Sequence, residues 1–171
     1  MPFETTLRAA TLNDRPRLTD IYNYYVIETP TTFDTTPFSV YQRQAWFDKY
    51  RASGRHRLIV AECDGTVAGY TASSPFSDRA AYDTTVETTI LCAPEFVGRG
   101  IGQLLYARLF EELATEDVHS AIARVTLPNR GSHDIHLQFG FREIGVMREA
   151  GRKFGQYWDV GLYQKMLHGG S

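Results

Sequence analysis

The stretch Val97-Gly98-Arg99-Gly100-Ile101-Gly102 sets three glycines between a β-branched run and a long amphipathic run. Upstream, Thr84 to Leu91 reads as a strand with Glu87 in its middle. Downstream, Ile101, Leu104, Leu105, Leu109 and Leu113 recur at helical spacing. A strand that turns on glycines into a helix gathers backbone N–H groups beside a positive helix end, which is a seat for an anion. The plain alternative is glycines that merely join strand to helix. Two known phosphate loops fail against these residues. A triphosphate loop needs Gly-Lys-Ser/Thr, and no Lys follows Gly102. A dinucleotide fingerprint needs a third glycine where Gln103 stands, and it belongs after the first strand of a fold. What remains is a pyrophosphate cradle late in the chain.

The other segments read as alternating short elements around this turn. Thr5 to Ala9 is a first strand, and Thr11, Asn13 and Asp14 supply helix-start chemistry with Pro16 in the first turn. Leu18, Ile21, Tyr22, Tyr25 and Val26 carry that helix to about Ile27. Thr29 to Pro37 is a loop, and Ser39 with Gln42 predicts a capping box for a second helix through Tyr50, ended by Gly54. Arg57 to Cys63 and Thr66 to Ser74 form a hairpin on Asp64-Gly65. Ser74 to Asp83 is irregular. Ser120 to Thr126 is a strand, Pro128 and Asn129 break it, and a short helix runs to Phe139, stopped by Gly140. Strands at about Phe141 to Glu149 and Tyr157 to Lys165 close the chain.

Size and charge narrow the classes. The chain of 171 residues fits one mixed α/β domain, expected over 1–167, with a loose tail over 168–171. A chain this long buries roughly 70% of its unfolded surface, so a core without metal or disulfide staples is expected. With 18 basic against 20 acidic residues and no basic block, broad nucleic-acid binding is disfavoured. No apolar run approaches a membrane span. Cys63 and Cys92, without a CxxC pair or a secretory start, read as reduced thiols in a cytoplasmic protein. His133, Asp134 and His136 lie close together, but no matching ligands occur elsewhere, so no metal is expected.

The motifs together resemble the GCN5-related N-acetyltransferases (GNAT), and more narrowly the phosphinothricin and methionine sulfoximine acetyltransferases. The matching pieces are Ile21-Tyr22-Asn23-Tyr24-Tyr25 with Thr32-Phe33, Arg79 with Ala81-Tyr82-Asp83, and Thr85-Val86-Glu87. They continue through Gly100-Ile101-Gly102, Leu127-Pro128-Asn129 and Gly140-Phe141 to Gly151–Lys153 and Trp158-Asp159-Val160-Gly161. The resemblance covers essentially the whole chain. It implies a mixed, mostly antiparallel sheet of seven strands with four helices, matching the elements read above, and two central strands splayed apart.

It also implies acetyl-CoA as cosubstrate, with its pyrophosphate on the N–H groups of Gly98, Arg99, Gly100, Ile101 and Gly102 and its pantetheine arm along Ile90 and Leu91. Val97 stands where the family usually carries Gln or Arg. Asn129 and Ser132 would contact the cofactor, although capping the short helix equally explains Asn129. A β-bulge near Leu91 would present an N–H to the oxyanion. Glu87 would serve as base, because an ammonium has no lone pair with which to attack a thioester. The plain alternative for Glu87 is a surface glutamate on a half-exposed strand. His136, seven residues after Asn129, would return a proton to sulfur, or else be a hydrogen-bonded helix histidine. Phe33, Arg79, Tyr82 and Lys153, the last in a loop running to Tyr157, would hold a small-molecule amine acceptor. A homodimer involving the Thr29–Pro37 loop is a further implication. Other amines as acceptors, a non-catalytic acyl-CoA sensor and an interaction module stay open at this point.

Overall fold

The computed structural model describes residues 4–168, so most of the expected tail, 169–171, lies outside the described residues. Seven strands form one sheet: β1 (Thr5–Ala9), β2 (Leu58–Cys63), β3 (Thr66–Pro75), β4 (Thr85–Cys92), β5 (Ser120–Leu127), β6 (Arg142–Lys153) and β7 (Gln156–Met166). Their order is β1-β2-β3-β4-β5-β7-β6, and only the β4–β5 pair is parallel. Four α-helices accompany them: α1 (Arg15–Glu28), α2 (Gln44–Phe47), α3 (Ile101–Leu113) and α4 (Arg130–Gln138). Among the described residues, no helix is long and apolar enough to cross a membrane.

Strand alternation sends side chains to two separate cores. On one face, Leu105, Tyr106, Leu109 and Leu113 of α3 pack on Val86, Ala121, Ala123 and Val125. On the other, Leu18 and Ile21 of α1 pack on Val60, Tyr70 and Leu91. Glu87 and Arg124 alternate with Val86, Ala123 and Val125, which places both on the face opposite α3.

Three expectations change. The capping box forms, with Ser39 and Gln42 bonding each other's backbone N–H at 3.2 and 2.8 Å, yet α-helix extends only over Gln44–Phe47. So short a helix gains little from its own hydrogen bonds. The segment is instead anchored by Trp46 on Tyr50 and Tyr70 and by Arg43 stacked on Tyr22 and Trp46. The last two strands are longer than expected and meet in a tight hairpin. Phe154 and Gly155 have φ of 53° and 74°, so the expected Lys153–Tyr157 loop is a two-residue turn with Lys153 at a strand end. Finally, β4 carries no bulge near Leu91. Its register with β3 runs unshifted from Val86 to Cys92. Gly69 permits this, since a Cβ there would lie 2.8 Å from the Leu91 carbonyl oxygen.

Candidate active site

The sheet opens where its one parallel pair ends. β4 and β5 share three paired positions, the last being Glu87 with Ile122, and then separate. Beyond Glu87, every second N–H and C=O of β4 on that side has no strand partner. Two cavities of about 510 and 680 Å³ occupy the gap and meet at Thr31, Ile90, Leu91, Asn129 and Ser132.

The larger cavity is lined by Val97, Gly98, Gly100, Ile101 and Gly102, with Tyr25, Cys92, Phe96 and Ile135 as apolar walls. Gly98 and Gly100 both have φ of 79°, a left-handed conformation that glycine adopts without a Cβ penalty. Gly100 is the N-cap of α3 and supplies no side-chain cap, so the first N–H groups of a 13-residue helix face the cleft without one. Gly102 is there for space: a Cβ would stand 3.0 Å from Ile135 Cδ1. Val97 is 61% exposed at the rim, and the Arg99 guanidinium lies 5.4 Å over the Phe96 ring. Burial pushes the Cys92 thiol up to about 11, which keeps it protonated at neutral pH. A positive helix end with bare glycine backbone, continuing into an apolar channel, fits the diphosphate and pantetheine of acetyl-CoA.

The smaller cavity holds the titratable groups. Glu87 is half-buried on β4, and burial raises its carboxyl above the ordinary range, with Arg124 opposing from 3.4 Å. His136 is 3% exposed on α4 and donates from Nδ1 to the Ser132 carbonyl oxygen at 2.6 Å. Burial holds it below its ordinary value, so it is neutral and its Nε2 accepts. The partner at Nε2 is the Tyr106 hydroxyl at 2.9 Å, which in turn lies 3.2 Å from Thr88 Oγ1. Asn129 caps α4 by accepting from the Ser132 N–H at 3.0 Å, and it also lines both cavities.

Of the acceptor residues expected from sequence, Phe33 alone lines the smaller cavity. Its ring covers Gly151 so closely that a Cβ there would be 2.1 Å from Cε2. Arg79 is exposed beside the 3-10 turn Ala80–Tyr82, and Tyr82 packs on Phe76 at 5.2 Å, outside the cavity lining. Lys153 is buried and donates to Thr32 O at 2.8 Å and Tyr25 O at 3.4 Å, tying the Thr29–Pro37 loop to the β6–β7 hairpin. His133 bonds Tyr163 at 2.8 Å, and no three potential ligands cluster for a metal among the described residues.

Tyr106, Thr88 and Arg124 are among the lining residues that sequence reading missed. Two of them left a faint signal. Tyr106 interrupts an aliphatic helix stripe, and a buried tyrosine hydroxyl needs a partner. Arg124 is the one charge in an otherwise uncharged, mostly apolar strand.

Comparison with known proteins agrees with this geometry. Residues 18–141 match the acetyltransferase (GNAT) family. A phosphinothricin N-acetyltransferase of Streptomyces coelicolor is 48% identical over 96% of this chain and 97% of its own length. An L-methionine sulfoximine/L-methionine sulfone acetyltransferase of Pseudomonas paraeruginosa is 30% identical over 95% and 94%. A GNAT-superfamily phosphinothricin acetyltransferase from Sinorhizobium meliloti, solved in complex with acetyl-CoA, is 30% identical. It superposes with a TM-score of 0.90 over 97% of this chain and 89% of that one. The chain is therefore an acetyltransferase of the GNAT family.

Proposed function

We propose that this acetyltransferase moves acetyl from acetyl-CoA to the α-amino group of a small amino-acid-like acceptor of the phosphinothricin, methionine sulfoximine or methionine sulfone type. The observation that carries the reading is a Phe33-walled cavity with half-buried Glu87, meeting the glycine-lined cleft at Ile90 and Leu91. The names of the Streptomyces and Pseudomonas relatives support the acceptor class.

Gly98, Gly100, Ile101 and Gly102 would hold the diphosphate, and Ile90, Leu91 and Ile135 the pantetheine arm. Bound acetyl-CoA supplies the thioester carbonyl that a neutral amine attacks. Glu87 takes the ammonium proton on its carboxylate, directly or through one water. Its raised carboxyl makes it a stronger base than a solvated glutamate. Unpaired β4 N–H groups beyond Glu87 supply donors for charge developing on oxygen, in the role first expected of a bulge. The Tyr106 hydroxyl donates to His136 Nε2; we assign to that hydroxyl the proton the leaving thiolate takes up, and the proton that leaves the attacking nitrogen as the amide forms restores it.

The test is release of CoA thiol from acetyl-CoA against phosphinothricin, methionine sulfoximine, methionine sulfone, ordinary amino acids, polyamines and peptides. Turnover concentrated on the first three, reduced about 100-fold by Glu87→Gln, is expected. Turnover confined to polyamines or peptides would overturn the acceptor class. Full activity in Glu87→Gln would overturn the base.

A further inference from the structure

We infer that Arg124 reads the acceptor's carboxylate, so that Glu87 and Arg124 together form a clamp for the two charged groups of a free α-amino acid. This rests on the amino-acid-acceptor reading above and names the residue that would select for the carboxylate beside the amine.

Among the described residues, Arg124 is the one arginine or lysine that lines the acceptor cavity. The cations anticipated from sequence do not line this cavity. Lys153 donates to two backbone carbonyls, and Arg79 stands exposed beside the turn at Ala80. Arg124 approaches Glu87 by its Nε, 3.4 Å from Oε1, which is long for a charge-assisted hydrogen bond. Its two Nη groups meet no hydrogen-bond acceptor among the described residues, while the guanidinium carbon lies 5.9 Å over the Phe76 ring. The planar fork is therefore oriented yet unused, the geometry that takes a carboxylate bidentately.

The spacing suits one ligand class. In an α-amino acid, one carbon separates the ammonium from the carboxylate, so the two complementary protein groups must be neighbours. Glu87 and Arg124 are neighbours on one sheet face, reached from two strands whose pairing ends at Glu87 and Ile122. An ammonium placed on Glu87 would set its carboxylate beside the Nη groups. The result is four charges of alternating sign, each next to its opposite. A polyamine or a peptide N-terminus brings the amine without the adjacent carboxylate and leaves the fork empty. Phe33, Met147 and Val160 add apolar wall to the same cavity, which suits the uncharged part of the acceptor.

The experiment compares methionine sulfone with 3-(methylsulfonyl)propylamine, the same molecule without its carboxylate, on the full chain at pH 8. Wild type, Arg124→Ala and Arg124→Lys are measured, with thermal melts and acetyl-CoA binding as folding controls. Loss of one charge-assisted contact predicts a roughly 10- to 100-fold fall in kcat/KM for methionine sulfone in Arg124→Ala, carried by KM. The carboxylate-free amine should change by less than about 3-fold, which is the spread of individual contact effects. Arg124→Lys, which keeps a point charge without the fork, should fall between. Equal losses on both acceptors, or no loss on either, would overturn the clamp and leave Arg124 as a neighbour that only tunes Glu87. A wild type that uses both acceptors equally would overturn the clamp while sparing Glu87 as base. A wild type active on neither would remove both readings.

Discussion

The hydroxyl of Tyr106 lies 2.9 Å from Nε2 of His136, joining helix α3 to helix α4 across the floor of the acceptor cavity. Thr88 on β4 completes the chain from the far side, 3.2 Å from the same hydroxyl. Because the Ser132 carbonyl can only accept, it fixes the imidazole proton on Nδ1 and leaves Nε2 to the tyrosine. Tyr106→Phe removes the centre of this chain and strands two buried polar atoms. Unfolding in denaturant should show a loss of about 1–3 kcal/mol. Turnover should fall roughly 10- to 100-fold with both KM values nearly unchanged, because the role proposed for the pair is to pass a proton rather than to bind.

The base role proposed for Glu87 would link activity to pH. Burial raises its carboxyl above the unfolded value, with Arg124 opposing. Between the two values the folded protein binds more protons than the unfolded chain, so stability falls as pH rises through that window. Glu87→Gln, neutral at every pH, should therefore melt higher than wild type at pH 7. That advantage should shrink as pH drops below the folded value. The wild-type rate should fall over the same acid range as the base becomes protonated. A melting difference that does not vary between pH 4 and pH 7 would contradict the assigned shift.

Phe33 and Gly151 predict a steric effect on the acceptor alone. A methyl group at Gly151 would meet the phenyl ring at 2.1 to 2.5 Å, so the ring must leave its seat. Gly151→Ala is expected to raise the acceptor KM roughly 10-fold, the cost of displacing one apolar wall. The KM for acetyl-CoA should not move, because neither residue lines the glycine cleft. Phe33→Ala should mimic it.

Gly100 predicts the converse. At φ 79°, a Cβ costs about 1–2 kcal/mol even where space is open, as it is here. Gly100→Ala should strain the turn that presents the α3 N–H groups and raise the acetyl-CoA KM about 10-fold. Acceptor KM is the control. Isothermal titration with CoA would separate weakened binding from slowed chemistry.

Local signals carried far in this chain. Alternation in Thr85–Cys92 placed Glu87 on one sheet face, and Gly98, Gly100 and Gly102 marked the turn into α3 at its true position. The reciprocal bonds of Ser39 and Gln42 also form as their spacing required, although the helix they begin is short. Each of these depends on residues within a few positions of one another, where backbone propensity and side-chain reach decide the outcome.

The acceptor cavity depends on partners far apart in sequence. Glu87 meets Arg124, Tyr106 meets His136, and Lys153 turns away from the cavity to hold the carbonyl oxygens of Thr32 and Tyr25. None of these pairings has a local signature. The amino-acid sequence alone determined the order and type of the elements, the glycine turn and the face on which Glu87 stands. Only the tertiary structure decided where β4 and β5 part, which cation faces the cavity and which hydroxyl meets the histidine. Such distances follow from non-local strand pairing and helix packing, and periodicity within a segment leaves them undetermined.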